Sequence, residues 1–170
     1  MDATADELAG VVDLFGGLTR AELERALAEA AFRADGQSVD EAALADAIDR
    51  GVETFALVRY ERDGDGGGPS AESAGDEDTG PLLVAGPTAF PTVPEHAEDV
   101  PHILDVEPRR LDREALGDRT RSRFADAVDR AIEAGDDDRI EHLIDVSYDI
   151  EAWAPIDVAD DRRRLEAALE

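Results

Sequence analysis

Cysteine and lysine are both missing from this chain of 170 residues. Without cysteine there are no disulfides, no thiolate chemistry and no cysteine-ligated zinc. Without lysine all 17 basic residues are arginine, and no glycine-rich loop ends in the lysine that a phosphate cradle uses. Aromatic residues are scarce, at 5%. No apolar run approaches the ~20 residues of a membrane span. The N-terminus, Met1 to Glu7, is acidic and lacks the charged-then-apolar order of a signal peptide, so a soluble, cytoplasmic protein is expected.

What the chain has in excess is negative charge. Acids number 43, and the net charge is −26. In molar salt the Debye length falls to roughly 3 Å, so repulsion that would open such a chain in dilute buffer is screened. Abundant small apolar residues suit the same medium. A halophilic source is expected.

The most consistently specified stretch runs from Leu18 to Glu61. Thr19 with Glu22, and Ser38 with Glu41, have the spacing of capping boxes, and Leu18 with Leu23 that of a hydrophobic staple. Leu23, Leu27 and Ala30 recur at helical spacing, as do Leu44, Ile48 and Val52. Ala34 to Gln37 reads as the turn between two helices, the second spanning Val39 to Arg50. Phe55 to Glu61 reads as a strand. Thr4 with Glu7 caps an earlier short helix that ends at Gly16-Gly17.

Beyond the strand the composition changes. Residues 62–81 hold glycine, serine and acids with nothing to anchor a core, and are expected to be disordered. They separate Phe55–Tyr60 from Leu82–Ala85, two apolar segments expected to pair as an antiparallel hairpin. Five prolines between Gly86 and Pro108 predict an irregular connector packed on the fold. Asp112, the run Asp136 to Asp138, and Asp157 are the expected caps of three further helices, and Trp153-Ala-Pro155 the break before the last. Trp153, with Tyr148, Ile150 and Ile156, reads as an anchor between those helices.

The predicted fold is thus α+β and mainly α. Residues 1–90 form a winged-helix-like part with a β-hairpin whose tip is 62–81. Residues 91–110 are the connector, and 111–170 a helical part packed with the first as one unit.

Chemistry is sparsely indicated. The helix from Val39 to Arg50 occupies the place of a recognition helix, yet carries Asp40, Glu41, Asp46 and Asp49 against Arg50. A reading helix must approach phosphates and offer donors to base edges, so nucleic acid is disfavoured as its partner. The residues most suited to contact nucleic acid are Arg109, Arg110, Arg113, Arg119, Arg121 and Arg123, six arginines against Asp112, Glu114 and Asp118. Ion pairing within the protein is the simpler role for them. His96 and His102 lie among Glu95, Glu98, Asp99 and Asp105, and His142 beside Glu141 and Asp145, but no ligand spacing matches a known metal site. Gly64 to Gly68 precedes no helix. No catalytic residue, metal ligand or cofactor is assigned, and the chain is read as non-enzymatic.

Asp13 to Glu24, Leu83 to Pro91 and Ile150 to Pro155 together resemble a small family of uncharacterised proteins, a domain of unknown function, from halophilic archaea. That resemblance covers nearly the whole chain outside the low-complexity insert. It implies the saline habitat and the single-unit architecture, and it implies no activity or cofactor. The expected function is a regulatory or adaptor protein that binds another, unidentified protein in a high-salt cytoplasm. The alternatives are a DNA-binding regulator of winged helix-turn-helix type and, last, a metal-dependent enzyme. The sequence leaves the oligomeric state open.

Overall fold

The structure, a computed structural model, describes residues 4–36, 39–61, 80–94, 97, 101 and 106–170. The chain divides into two compact units, Met1–Arg110 and Leu111–Glu170. Among the described residues it is mainly helical, with six helices and one small antiparallel sheet.

The first unit contains α1 (Ala5–Leu14), β1 (Leu18–Thr19), α2 (Arg20–Asp35), α3 (Glu41–Glu53), β2 (Leu57–Tyr60) and β3 (Leu82–Ala85). Strand order is β1-β3-β2, every pair antiparallel. Leu57 pairs with Ala85 and Tyr60 with Leu82, so the two apolar segments that flank residues 62–79 do meet. The tip itself, read from sequence as disordered, lies outside the described residues except for Gly80 and Pro81.

Two of the predicted capping boxes form. Thr4 Oγ1 accepts the Glu7 N–H at 3.2 Å, and the Thr4 N–H donates to Glu7 Oε2 at 2.8 Å. The same exchange joins Thr19 and Glu22. The third prediction is corrected. Helix α3 starts at Glu41 with Asp40 as its cap, whose carboxylate accepts the Ala42 and Ala43 amides, and Ser38 lies outside the described residues. An aspartate one residue before the helix takes two amides at once.

Three other boundaries differ from the sequence reading. Helix α3 runs through Gly51 to Glu53, because a hydrogen at Cα lets the helix lie against Leu57; a Cβ there would stand 3.2 Å from Leu57 Cδ1. Strand β2 begins only at Leu57, since the buried Phe55 holds a left-handed φ of +66° that no strand accommodates. The strand β1 was not anticipated. Its two residues pair with Leu82 and Leu83, and Leu18 is at once the staple residue and a rung of the sheet.

The core of this unit gathers Leu8, Val11, Val12 and Phe15 of α1 with Leu23, Leu27, Leu44, Ile48, Leu57 and Leu83. The segment after β3 crosses α1 backbone to backbone. Thr92 N–H donates to Asp6 O at 3.0 Å and Phe90 N–H to Asp6 Oδ1 at 2.9 Å. Gly10 makes this crossing fit, for a Cβ there would stand 2.1 Å from Thr92 O. Beyond this crossing Pro94 and Ala97 are buried, while Phe90 and Val93, two of the apolar residues expected to pin the connector, are exposed.

The second unit contains α4 (Arg113–Ala134), α5 (Asp137–Trp153) and α6 (Ala159–Ala168). Asp112 and Asp136 cap α4 and α5 as predicted. For α6 the cap position is Val158, not Asp157. Asp157 still accepts the Ala159 amide, while Glu151 reaches forward to accept the Val158 amide. Leu116, Phe124, Val128, Ile140, Leu143, Val146, Ile150 and Leu165 form the buried interior. Trp153 ends α5 half-buried, and Tyr148 is exposed beneath Arg162, whose guanidinium lies 4.1 Å from the ring centroid.

Candidate interaction surfaces

A buried ion pair stands out in the first unit. The Glu22 carboxylate is almost fully enclosed, its side chain 4% exposed. Arg109 donates to it through both terminal nitrogens at 2.7 Å, and to Gly17 O at 2.9 Å. The Arg109 backbone N–H also bonds Phe15 O at 2.7 Å. Gly16 permits that approach: it has φ +71°, and a Cβ there would stand 2.2 Å from Arg109 O. The fork geometry matches a bidentate carboxylate contact, and the same carboxylate serves the capping box of α2. Arg109 is thus a structural clasp.

The other predicted arginines are dispersed. Arg110 is exposed at the end of the first unit. Arg113, Arg119, Arg121 and Arg123 lie on α4 in the second. At about 100° per residue, Arg119 and Arg123 share one face while Arg121 points roughly 160° away from Arg119. On α4 itself Arg121 and Arg119 therefore lie on different faces.

Helix α3 presents an acidic stripe. Ala42, Asp46, Asp49 and Glu53 recur at helical spacing and are all exposed, on the side away from the buried Leu44 and Ile48. Asp49 is held by Arg20 at 2.8 Å, with Arg59 at 4.0 Å. Hydrogen bonding from Arg20 keeps the Asp49 carboxyl below the usual carboxylate range. Arg20 also bonds Glu24 and the Ala45 carbonyl, so it ties α2 to α3.

Between α2 and α3 lies a groove of about 840 Å³. Ala28, Phe32, Val39 and Leu44 supply its apolar lining, and Glu24, Glu41 and Arg25 its charged groups. Phe32 is 65% exposed, an unusual position for a phenylalanine. Residue pattern does not reveal this exposure, because Phe32 sits among alanines in a helix whose core positions are already filled.

Among the described residues no three histidine or acidic side chains converge as a metal site. His96 and His102 lie outside the described residues. His142 is half-buried on α5, and its Nε2 has no hydrogen-bond partner among the described residues. Burial first, then the nearby Arg139, push its pKa down, against a smaller opposing pull from Asp145 and Asp149. Its sequence neighbour Glu141 is exposed.

Matching against protein families covers residues 6–170. The chain belongs to DUF7109, a family of unknown function. This bears out the resemblance to an uncharacterised family and adds no activity to this DUF7109 member. No curated protein and no solved structure matches it. No helix among the described residues is long and apolar enough to cross a membrane.

Proposed function

We propose that this chain is a non-enzymatic regulatory or adaptor protein of a high-salt cytoplasm, and that its winged-helix-like first unit binds another protein. The order α1, β1, α2, α3, β2, β3, with β3 central in the sheet, supports the winged-helix reading: helix, turn, helix and paired strands follow one another as in a helix-turn-helix with a wing. In that arrangement α3 is the reading helix. The observation that carries the function is its exposed acidic face, Asp46 and Glu53 beside an Asp49 that Arg20 and Arg59 already engage. Carboxylates repel phosphates, and molar salt removes the counterion-release gain that drives DNA binding. The same stripe complements a basic protein surface, and a fold common among DNA-binding proteins can serve protein contacts instead.

A tagged chain exposed to native-host lysate in molar KCl, half of it nuclease-treated, tests the reading. One protein recovered from both halves, and lost with Asp46→Arg, supports it. Recovery that depends on intact nucleic acid refutes it.

A DNA-binding regulator is the second reading. Arg110, Arg113 and Arg121 favour it, because they are exposed and without an ion-pair partner among the described residues. A molar-salt DNA shift abolished by changing Arg110, Arg113 and Arg121 to Glu supports that reading, and no shift in the natural protein excludes it.

A further inference from the structure

We infer that the groove between α2 and α3 seats an amphipathic helix of a partner protein, one that inserts apolar side chains flanked by lysine or arginine. The inference rests on the reading of the first unit as a protein-binding part, and it names the chemistry of a second contact, because Asp46 and Glu53 lie outside the groove. Three observations carry it.

The first is an uncovered apolar wall. Ala28 and Phe32 face outward from α2, on the side opposite the buried Leu23, Ala26 and Ala30, and Phe32 is 65% exposed. Across from them Leu44, itself almost fully buried, lines the groove from α3. Covering this wall removes apolar surface from water, the non-directional drive for association.

The second is where the charges stand. Arg20 bonds Ala45 O and Asp49, and so marks the side of α2 that faces α3. At about 100° per residue Glu24 lies roughly 40° from Arg20, then come Ala28 and Phe32, with Arg25 outermost at about 140°. Glu24 and Glu41 thus stand on the two helices that wall the groove, and Arg25 stands at its outer rim. Glu24 accepts from Arg20 through Oε1 at 3.2 Å, which leaves Oε2 without a described bond, and no described ion pair engages Glu41. In molar salt the Debye length is about 3 Å, so only charges in contact select a ligand. A cation carried into the groove meets two carboxylates, and an anion there meets the same two as like charges.

The third is the form of the walls. Both are helices, whose backbone donors and acceptors are spent within them, so the groove offers no sheet edge to an extended strand. An occupant must satisfy its own backbone, and a helix does so while presenting side chains three or four residues apart along one face. Residues 24, 28 and 32 line the groove at that same spacing, over about 12 Å of α2.

A display library of amphipathic helical peptides, panned in molar KCl on the full chain and counter-selected on Phe32→Ser, tests this. Circular dichroism establishes that the variant folds, the expected result for so exposed a ring. Peptides held by the natural chain and released by the variant should carry apolar residues three or four apart with lysine or arginine beside them. Synthesised singly and followed by fluorescence anisotropy, they should bind Phe32→Ser at least about tenfold more weakly. They should bind Glu41→Arg several-fold more weakly, and Phe90→Ser and Asp46→Arg unchanged. A selection that yields no Phe32-dependent peptide overturns the inference. So does one dominated by acidic peptides, or equal binding to the natural chain and Glu41→Arg. A monomer–dimer equilibrium in sedimentation that is lost with Phe32→Ser also overturns it, and gives the groove to a second copy. Failure here is distinguishable from failure of the acidic-face reading, because Asp46→Arg abolishes partner recovery in that test and leaves peptide binding unchanged in this one.

Discussion

Replacing Arg109 by Met removes the donor fork from an enclosed carboxylate. Glu22 is 4% exposed at its side chain and would lose two bonds of 2.7 Å, while keeping the Thr19 amide at 2.7 Å. Deleting one partner of a buried pair costs more than the pair contributes, because a charge is left in a poorly solvated site. Arg109→Met should therefore destabilise the first unit by about 3 kcal/mol. For a unit of this size that lowers the melting temperature by about 15 °C. Glu22→Gln should cost less, about 2 kcal/mol, since the guanidinium, at 18% exposure, regains water more readily.

The decisive variant is the double one. Glu22→Met with Arg109→Met removes both charges together, so the main residual cost is the lost half of the capping box, about 1 kcal/mol. The double variant should thus be more stable than Arg109→Met alone. Urea unfolding in constant molar KCl, followed by circular dichroism, measures all four proteins without changing ionic strength. Hydrogen exchange localises the loss to α1, β1 and α2. A cost below about 1 kcal/mol for Arg109→Met, in the range of an exposed pair, would refute the reasoning. So would a double variant less stable than the single one.

Gly10→Ala should destabilise the first unit by about 2 to 3 kcal/mol, because its Cβ would stand 2.1 Å from Thr92 O and two backbones must separate; thermal unfolding reads this directly. The stability of the second unit should be greatest above pH 6.5, the ordinary histidine value, and fall as acid pushes the pH through it toward the lowered value of folded His142. The unfolded chain binds the proton first, so the sign is destabilisation by acid, and His142→Leu should flatten that limb of the pH–stability curve. Asp49 behaves likewise at lower pH. Its contribution is present above the ordinary 3.8 and disappears as pH falls through the depressed folded value, so natural protein and Asp49→Asn should converge in melting temperature in strong acid. Helical circular dichroism should fall as KCl drops from molar to millimolar, because only salt screens the net charge of −26; unchanged ellipticity refutes the high-salt reading.

What could be read in advance was whatever local chemistry decides. The caps at Thr4, Thr19, Asp112 and Asp136 are each written within four residues, and each formed. Where two polar residues two positions apart competed, as Ser38 and Asp40 did, spacing alone chose the wrong one. Features that depend on distant partners were not legible. Glu22 and Arg109 are 87 positions apart, and each had a sufficient local explanation, one as half of a capping box and the other as part of a basic cluster. Gly10 interrupts an apolar helix for no local reason; its cause is a backbone 82 residues later in sequence that must pass within van der Waals contact. The two-residue strand β1 is likewise too short to have a pattern of its own, and exists because β3 presents an edge to it. The charge of α3 was legible, since exposed faces are written plainly in sequence. The exposure of Phe32 was not, because a phenylalanine spaced among alanines has the same pattern whether it faces a core or faces water. That ambiguity is resolved by the packing of α2 on α1 and α3, which uses Leu23, Leu27 and Ala30 and leaves the opposite stripe uncovered.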